Sequence, residues 1–267
     1  MKTRPATIRL SPRGERFKRL ISVVLAAALF FVSAGFLDLD GGKFFGRLGN
    51  IWNVAKKLMS INFTILPEAA AAMLSSICMA LASLFAGFVL SIVLSFLAAG
   101  NIAPNKHLAA LIKAGAAIVR AIPALVWILM IVASMGFGAT GGMVGLIFPT
   151  MGYLTKSFIA SIEEMGGDVV EALRSVGASW PAIVYRGMMP ALITPFLSWI
   201  ALRIEANIAE SVNLGLLGIA GVGNLLMGAL GKYDYGSITA VIIVILAAMM
   251  LIEIFINKLK RIIKNTQ

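Results

Sequence analysis

From residue 20 onward the chain alternates long apolar runs with short polar stretches. About 20 mainly apolar residues in a helix cross a ~30 Å hydrocarbon layer. Leu20–Leu37 carries no charge and is the first candidate span; Ala69–Gly100 is also uncharged and longer than one crossing needs, so it tilts or projects beyond the bilayer. Ile122–Met135, opened by Pro123, is a shorter third. Gly142–Ser161, with Lys156 near one end, is a fourth, and Met188–Leu202, continuing toward Asn207, a fifth. Ser237–Asn257, with Glu253 near its exit, is the sixth. The pattern predicts an all-α integral membrane protein with about six transmembrane helices.

The stretches between the runs are patterned too. In the external segment Asp38–Glu68, Ile51–Met59 has apolar residues at helical spacing beside Lys56 and Lys57, and predicts an amphipathic helix on the outer face. Leu108–Val119, with Lys113, predicts an elbow on the inner face leading into Pro123. Val32-Ser33-Ala34 after an apolar core has the form of a signal-peptide cleavage site, so the first run also reads as a cleaved leader. Paired inverted halves, the mark of many secondary transporters, are not visible.

Composition agrees: of 267 residues, 60% are hydrophobic and 13% charged, against roughly 45–50% and 25% in soluble domains. That excludes a cytosolic enzyme. The net charge of +11 does not indicate nucleic acid, because eleven of 23 basic residues lie in the first 20 or last 10 positions, beside apolar runs. With the N-terminus inside, inner segments hold 17 Lys and Arg, including Lys2, Arg4, Arg9, Lys258, Lys260 and Arg261, and outer segments hold 6, including Arg203. This asymmetry places both termini in the cytoplasm. Cys78 and His107 are each the single residue of their type, so the chain has no internal disulfide, thiolate metal cluster or Ser-His-Asp triad. No catalytic or metal-binding residue is expected.

The most specific pattern lies after the fourth run. Asp168 followed by Glu171 has capping-box form and starts a helix near Val169; Gly177 supplies its left-handed end. Ser179 offers a second N-cap with Pro181 in the next first turn. Two short helices at a sharp angle result, a knob suited to a groove on another protein. A plain solvent-facing loop with Glu171 and Arg174 as a surface pair is the competing reading.

Glu171-Ala172-Leu173, three residues, Gly177, nine residues and Gly187-Met188-Met189-Pro190 resemble the signature loop of ATP-binding-cassette importer permeases, whose pattern is Glu-Ala-Ala, three residues, Gly, nine residues, Ile-x-Leu-Pro. The spacing matches; Leu173, Gly187 and Met189 depart in residue type. Arg120-Ala121-Ile122-Pro123-Ala124-Leu125-Val126-Trp127, Glu205-Ala206-Asn207-Ile208 and Leu214–Gly223 resemble the phosphonate group of these permeases, over roughly residues 68–260. Ala209 stands where that group usually has Arg, and Ala220-Gly221 where it has two glycines.

The resemblance implies the fold of a type I importer permease in the cytoplasmic (inner) membrane, importing phosphonate or a related small oxyanion. It implies a second copy of the chain, two cytoplasmic ATPases docked on Asp168, Glu171, Ala172, Leu173, Arg174, Gly177, Ala178 and Pro190, and an extracytoplasmic binding protein. No cofactor is expected on this chain; ATP and Mg belong to the partner ATPase. Phosphate, phosphite or methionine as cargo, and an ion-coupled secondary transporter using Glu205 or Glu210, stay open as alternatives.

The Gly215, Gly218, Gly221 and Gly223 stretch lacks the Gly-Lys-Ser/Thr of a nucleotide loop; it predicts a re-entrant turn or close helix contact, with substrate contact the other possibility. Ionisable and amide groups in spans are costly and face cavities or partners, so Arg120, Arg203, Glu205, Asn207, Glu210 and Asn213 are candidates for the substrate path, with snorkelling or local pairing the competing reading. Arg203 and Glu205 are expected at the outer end of the fifth span and Arg120 at the inner gate. The chain divides into 1–67 (basic N-terminus, first span, external segment), 68–260 (permease domain) and 261–267 (basic tail).

Overall fold

The uncharged stretch after Pro67 forms one helix of 33 residues, and the rest of the fold is arranged around it. The computed structural model describes residues 13–37 and 41–265, all of whose regular structure is helical. Lys2, Arg4, Arg9 and Asp38 lie outside the described residues.

The order is α1 (Arg13–Phe36), α2 (Gly41–Leu58), a 3₁₀ turn (Phe63–Ile65), α3 (Leu66–Ala98), α4 (Lys106–Ala121), α5 (Ala124–Met135) and α6 (Ala139–Glu164). Then come α7 (Asp168–Ser175), α8 (Trp180–Ala182), a π-helical segment (Ile183–Met188), α9 (Met189–Gly215), α10 (Val222–Gly231) and α11 (Tyr235–Asn265).

The chain separates into two units, Met1–Lys56 and Lys57–Gln267. In the first, α1 is apolar over Phe17–Phe36 with none of that span buried, as in a helix surrounded by acyl chains. The predicted amphipathic helix at Ile51 is part of α2, which begins earlier, at Gly41.

In the second unit α3 packs against α4, α6, α9, α10 and α11. Among the described residues, five helical stretches are long and apolar enough to cross a membrane, and the bent pair α4–α5, taken as one span, makes a sixth. Asn105 caps α4, its side chain accepting from the amides of His107 and Leu108. The helix stops at Ile122, which is extended because the proline ring behind it disfavours helical backbone. Pro123 then opens α5, and the two axes meet at 90°. The Trp127 indole donates to the Val119 carbonyl at 3.0 Å across this bend and stacks on Phe148 at 4.9 Å.

Two expectations for the fifth span are corrected. The second helix of the cytoplasmic loop is not a separate short one: α8, the π segment and α9 run on as Trp180–Gly215. The widened turn, where the Met189 amide reaches back to Val184, precedes Pro190, which has no N–H to donate and would clash with the carbonyl four residues back. The span also ends at Gly215, beyond the expected end between Leu202 and Asn207. Arg203 and Glu205 are therefore mid-helix, Arg203 about 18 Å from the outer end at 1.5 Å per residue, and Arg203 leaves the count of outer-loop charges.

Candidate functional site: a cytoplasmic knob and an intramembrane polar network

The knob is α7 with its flanks. Asp168 is the first helical residue, not the cap: Gly167 holds the N-cap position and no side chain caps the helix. The predicted capping box is replaced by charge complementarity, with Asp168 and Glu171 in the first turn and Arg174 in the last, each favourable to the helix dipole. Gly177 is left-handed at φ +78°, as expected. The Gly177 amide donates to Arg174 and the Ala178 amide to Leu173, at 2.9 and 3.0 Å, which is a Schellman termination. Ser179 occupies an N-cap position, but its hydroxyl makes no capping bond.

One face of α7 is glued down. Val170 is buried, and Val170 and Leu173 join a core cluster with Phe96, Ile102, Phe158, Ile162, Ile183 and Met188. A β-carbon on Gly187 would collide with Leu173 Cδ1, so Gly187 lets α7 seat against the π segment. The Trp180 indole donates to the Ile102 carbonyl at 3.0 Å, and the Asn101 amide donates to Ile162 and Gly166 carbonyls at 2.8 and 3.3 Å. The knob is thereby tied to the inner ends of α3, α6 and α9. Its other face, with Asp168, Glu171, Ala172, Arg174 and Gly177, is exposed, and Pro190, in the first turn of α9, is exposed too.

Within the bundle the structure brings together three of the six path candidates. Arg203, Asn207 and Glu210 follow one another at helical spacing on one face of α9. The Arg203 guanidinium donates to Glu210 at 2.8 Å and to the Thr150 hydroxyl at 3.3 Å, and lies over the Tyr153 ring at 5.7 Å. Asn207 donates to the Ala80 carbonyl and the Ser83 hydroxyl, both at 3.3 Å, and its carbonyl lies 3.0 Å from Thr150 Oγ1. Arg203 and Asn207 are buried and Glu210 is half-buried. The network cross-links α3, α6 and α9.

The other three candidates stand apart. Arg120 is exposed at the end of α4, Glu205 is half-buried away from the network face, and Asn213 is exposed near the outer end of α9. None makes a side-chain hydrogen bond or ion pair among the described residues.

Sequence reasoning missed Thr150, Ser83 and Tyr153, because a hydroxyl in an apolar run carries no signal until its neighbours are known. It also missed the outer clasp. There Asn62 donates to Ser237 at 3.0 Å, Ser237 donates to Asp234 at 2.6 Å, and Thr239 donates to the Leu58 carbonyl at 2.7 Å. The hydrogen bonds from the Ser237 hydroxyl and amide, with smaller help from Gly236 and Lys232, hold the Asp234 carboxyl below its ordinary range despite a small opposing effect of desolvation. Asp234 borders a cavity of about 610 Å³ shared by Glu68, Ser75, Asn224 and Lys232.

The glycine stretch packs. Gly215 and Gly223 bring α9 and α10 so close that a β-carbon on Gly215 would strike the Asn224 amide, and one on Gly223 the Val212 carbonyl. Gly221, at φ +137°, turns the chain into α10, where the Val222 amide donates to Ser76 at 3.1 Å.

Comparison with known proteins bears on this geometry. The model of a family described as "Binding-protein-dependent transport system inner membrane component" matches residues 91–265, which include the knob and all of the network except Ala80 and Ser83. The phosphite transport system permease protein PtxC of Stutzerimonas stutzeri is 28% identical over 84% of this chain and 81% of its own length. The phosphate-import permease protein PhnE of Mycolicibacterium smegmatis is 30% identical over 62% of this chain and 31% of its own. Among solved structures, an inward-facing form of the MetNI methionine ABC transporter aligns with a TM-score of 0.67 at 19% identity, over 75% of this chain and 98% of that one.

Proposed function

We propose a function from one premise: the chain belongs to the family of binding-protein-dependent transport system inner membrane components, whose model covers residues 91–265. It is the multi-pass permease subunit of an ATP-binding-cassette importer in the inner membrane, carrying phosphonate or a related small oxyanion. The relatives named for phosphite and phosphate import support the oxyanion class.

The observation that carries the mechanism is the two-faced knob. One face of α7 is fixed to the core by Val170 and Leu173, and its flanks by the Trp180 and Asn101 hydrogen bonds; the other face offers Asp168, Glu171 and Arg174 to the cytoplasm. A body so attached transmits displacement rather than absorbing it. Two copies of the chain form the path, two ATPases dock on the exposed faces, and a binding protein delivers cargo outside. ATP binding draws the knobs together and turns the path outward; hydrolysis in the partners returns it, each ligand biasing a rigid-body equilibrium. This chain hydrolyses nothing and binds no cofactor.

Arg203 is occupied by Glu210 and Thr150, so in this arrangement it locks helices instead of awaiting cargo. Glu205, Asn213 and Arg120 are the groups left to face a path, while Glu210 is held by Arg203. The outer cavity of Glu68, Asn224, Lys232 and Asp234 is the vestibule.

The test is uptake into vesicles holding the chain with its cognate ATPase and binding protein. ATP-dependent uptake of phosphite or a phosphonate is expected, abolished by Glu171→Lys or Gly177→Asp. Uptake that follows a proton gradient without ATP would overturn the reading.

A further inference from the structure

A groove of about 190 Å³ runs between α3, α9 and α11, away from both the knob and the polar network. On α9 it follows Leu197, Ala201, Ile204 and Ile208, a stretch of roughly 16 Å at 1.5 Å per residue, the depth of one leaflet of a ~30 Å hydrocarbon layer. Its walls are apolar, aliphatic except for Phe255, until the inner end, where Lys260 closes it. Lys260 continues the helical stripe of Ile252 and Ile256 on α11 and is half-buried, whereas Lys258 and Arg261 beside it are exposed. Among the described residues no carboxylate lies within ion-pair distance of Lys260.

We infer that this groove is a binding site for an anionic phospholipid of the inner leaflet, one acyl chain lying along α9 and the phosphate resting on Lys260. A cation at the mouth of an apolar slot matches an amphiphile with a negative head and a chain one leaflet deep. The charge also argues against protein occupants. Twofold pairing about the membrane normal sets equal heights face to face, so a second copy would bring Lys260 onto Lys260. This inference does not depend on the cargo or on the ATPase.

The experiment uses the full chain in nanodiscs containing phosphatidylcholine and a small fraction of phosphatidylglycerol with a photoactivatable acyl chain. Labelled peptides are identified by mass spectrometry, and thermal melting confirms that each variant is folded. Crosslinks within 197–208 and 252–260 are expected, competed by unlabelled phosphatidylglycerol but not by phosphatidylcholine or free glycerol phosphate. Lys260→Gln should reduce labelling about fivefold, since a lysine near an anionic surface contributes on the order of 1 kcal/mol; Lys258→Gln should not. Ala201→Phe, filling the slot, should reduce labelling with Lys260 intact. Equal loss in the two lysine variants, competition by free glycerol phosphate, or crosslinks found between copies of the chain instead of to lipid would overturn the proposal.

Discussion

At the residue scale the sharpest feature is a guanidinium kept inside the bundle by a carboxylate seven positions along the same helix. Arg203 and Glu210 are 2.8 Å apart with side chains 7% and 26% exposed. Removing one member strands the other, which costs about 3 kcal/mol or more in a buried pair, whereas replacing both by apolar groups is often near neutral. Glu210→Ala should therefore lower thermal stability strongly, while Arg203→Met with Glu210→Leu should recover most of it, and uptake should recover with stability. A double variant that melts like the parent but carries no cargo would show that the pair touches substrate. Asp234 makes a prediction about pH. Its pKa is lowered in the folded chain by the Ser237 bonds, so its contribution is present above the unfolded-state value and is lost as pH falls through the folded one. Melting measured from neutral toward acid pH should fall less steeply in Asp234→Asn than in the parent; identical slopes would dismiss the clasp.

At the element scale, local chemistry sets the boundaries and neighbours set the extents. The left-handed Gly177 ends α7, and an L-residue there costs about 1–2 kcal/mol. Gly177→Ala should weaken ATPase stimulation more than it weakens folding, because the strain is released by shifting the exposed end of the knob. Equal loss of melting temperature and stimulation would instead mark Gly177 as purely structural. Lys113 on α4 meets Glu163 on α6 at 2.7 Å, and Glu163 also accepts from the Gly100 amide at 2.7 Å. Both side chains are exposed by more than a third, so solvent screening keeps the ion pair under about 1 kcal/mol. Lys113→Glu with Glu163→Lys should melt near the parent but lack the Gly100 bond, and so not reach it fully. Most of these elements were legible beforehand: the apolar runs mark α1, α3, α6 and α11, and Pro123 marks the elbow. The outer end of the fifth span was not, because Arg203, Glu205 and Glu210 mimic the start of a loop when their partners are unknown.

For the whole molecule, the decisive arrangement is that cytoplasmic and intramembrane features share the same helices. α3, α6 and α9 carry the polar network midway and the anchoring of α7 at their inner ends. A network loosened at Asn207 should then uncouple the knob from the outer face. Asn207→Leu removes the bonds to Ala80, Ser83 and Thr150, and it is expected to leave basal ATPase docking intact while lowering its stimulation by loaded binding protein at least tenfold. Stimulation unchanged in a folded variant would separate the two features.

Sequence alone determined that the chain lives in a membrane, that it has about six apolar spans, which ends are expected in the cytoplasm and where the knob lies. Those properties follow from local terms, namely hydropathy summed over a span, the sign of flanking charge, and glycine or proline at a turn. Tertiary structure decided which polar groups are satisfied by one another and which are not. A buried arginine is a binding group or a structural one according to what stands within 3 Å of it, and that distance is set by helices far apart in the chain.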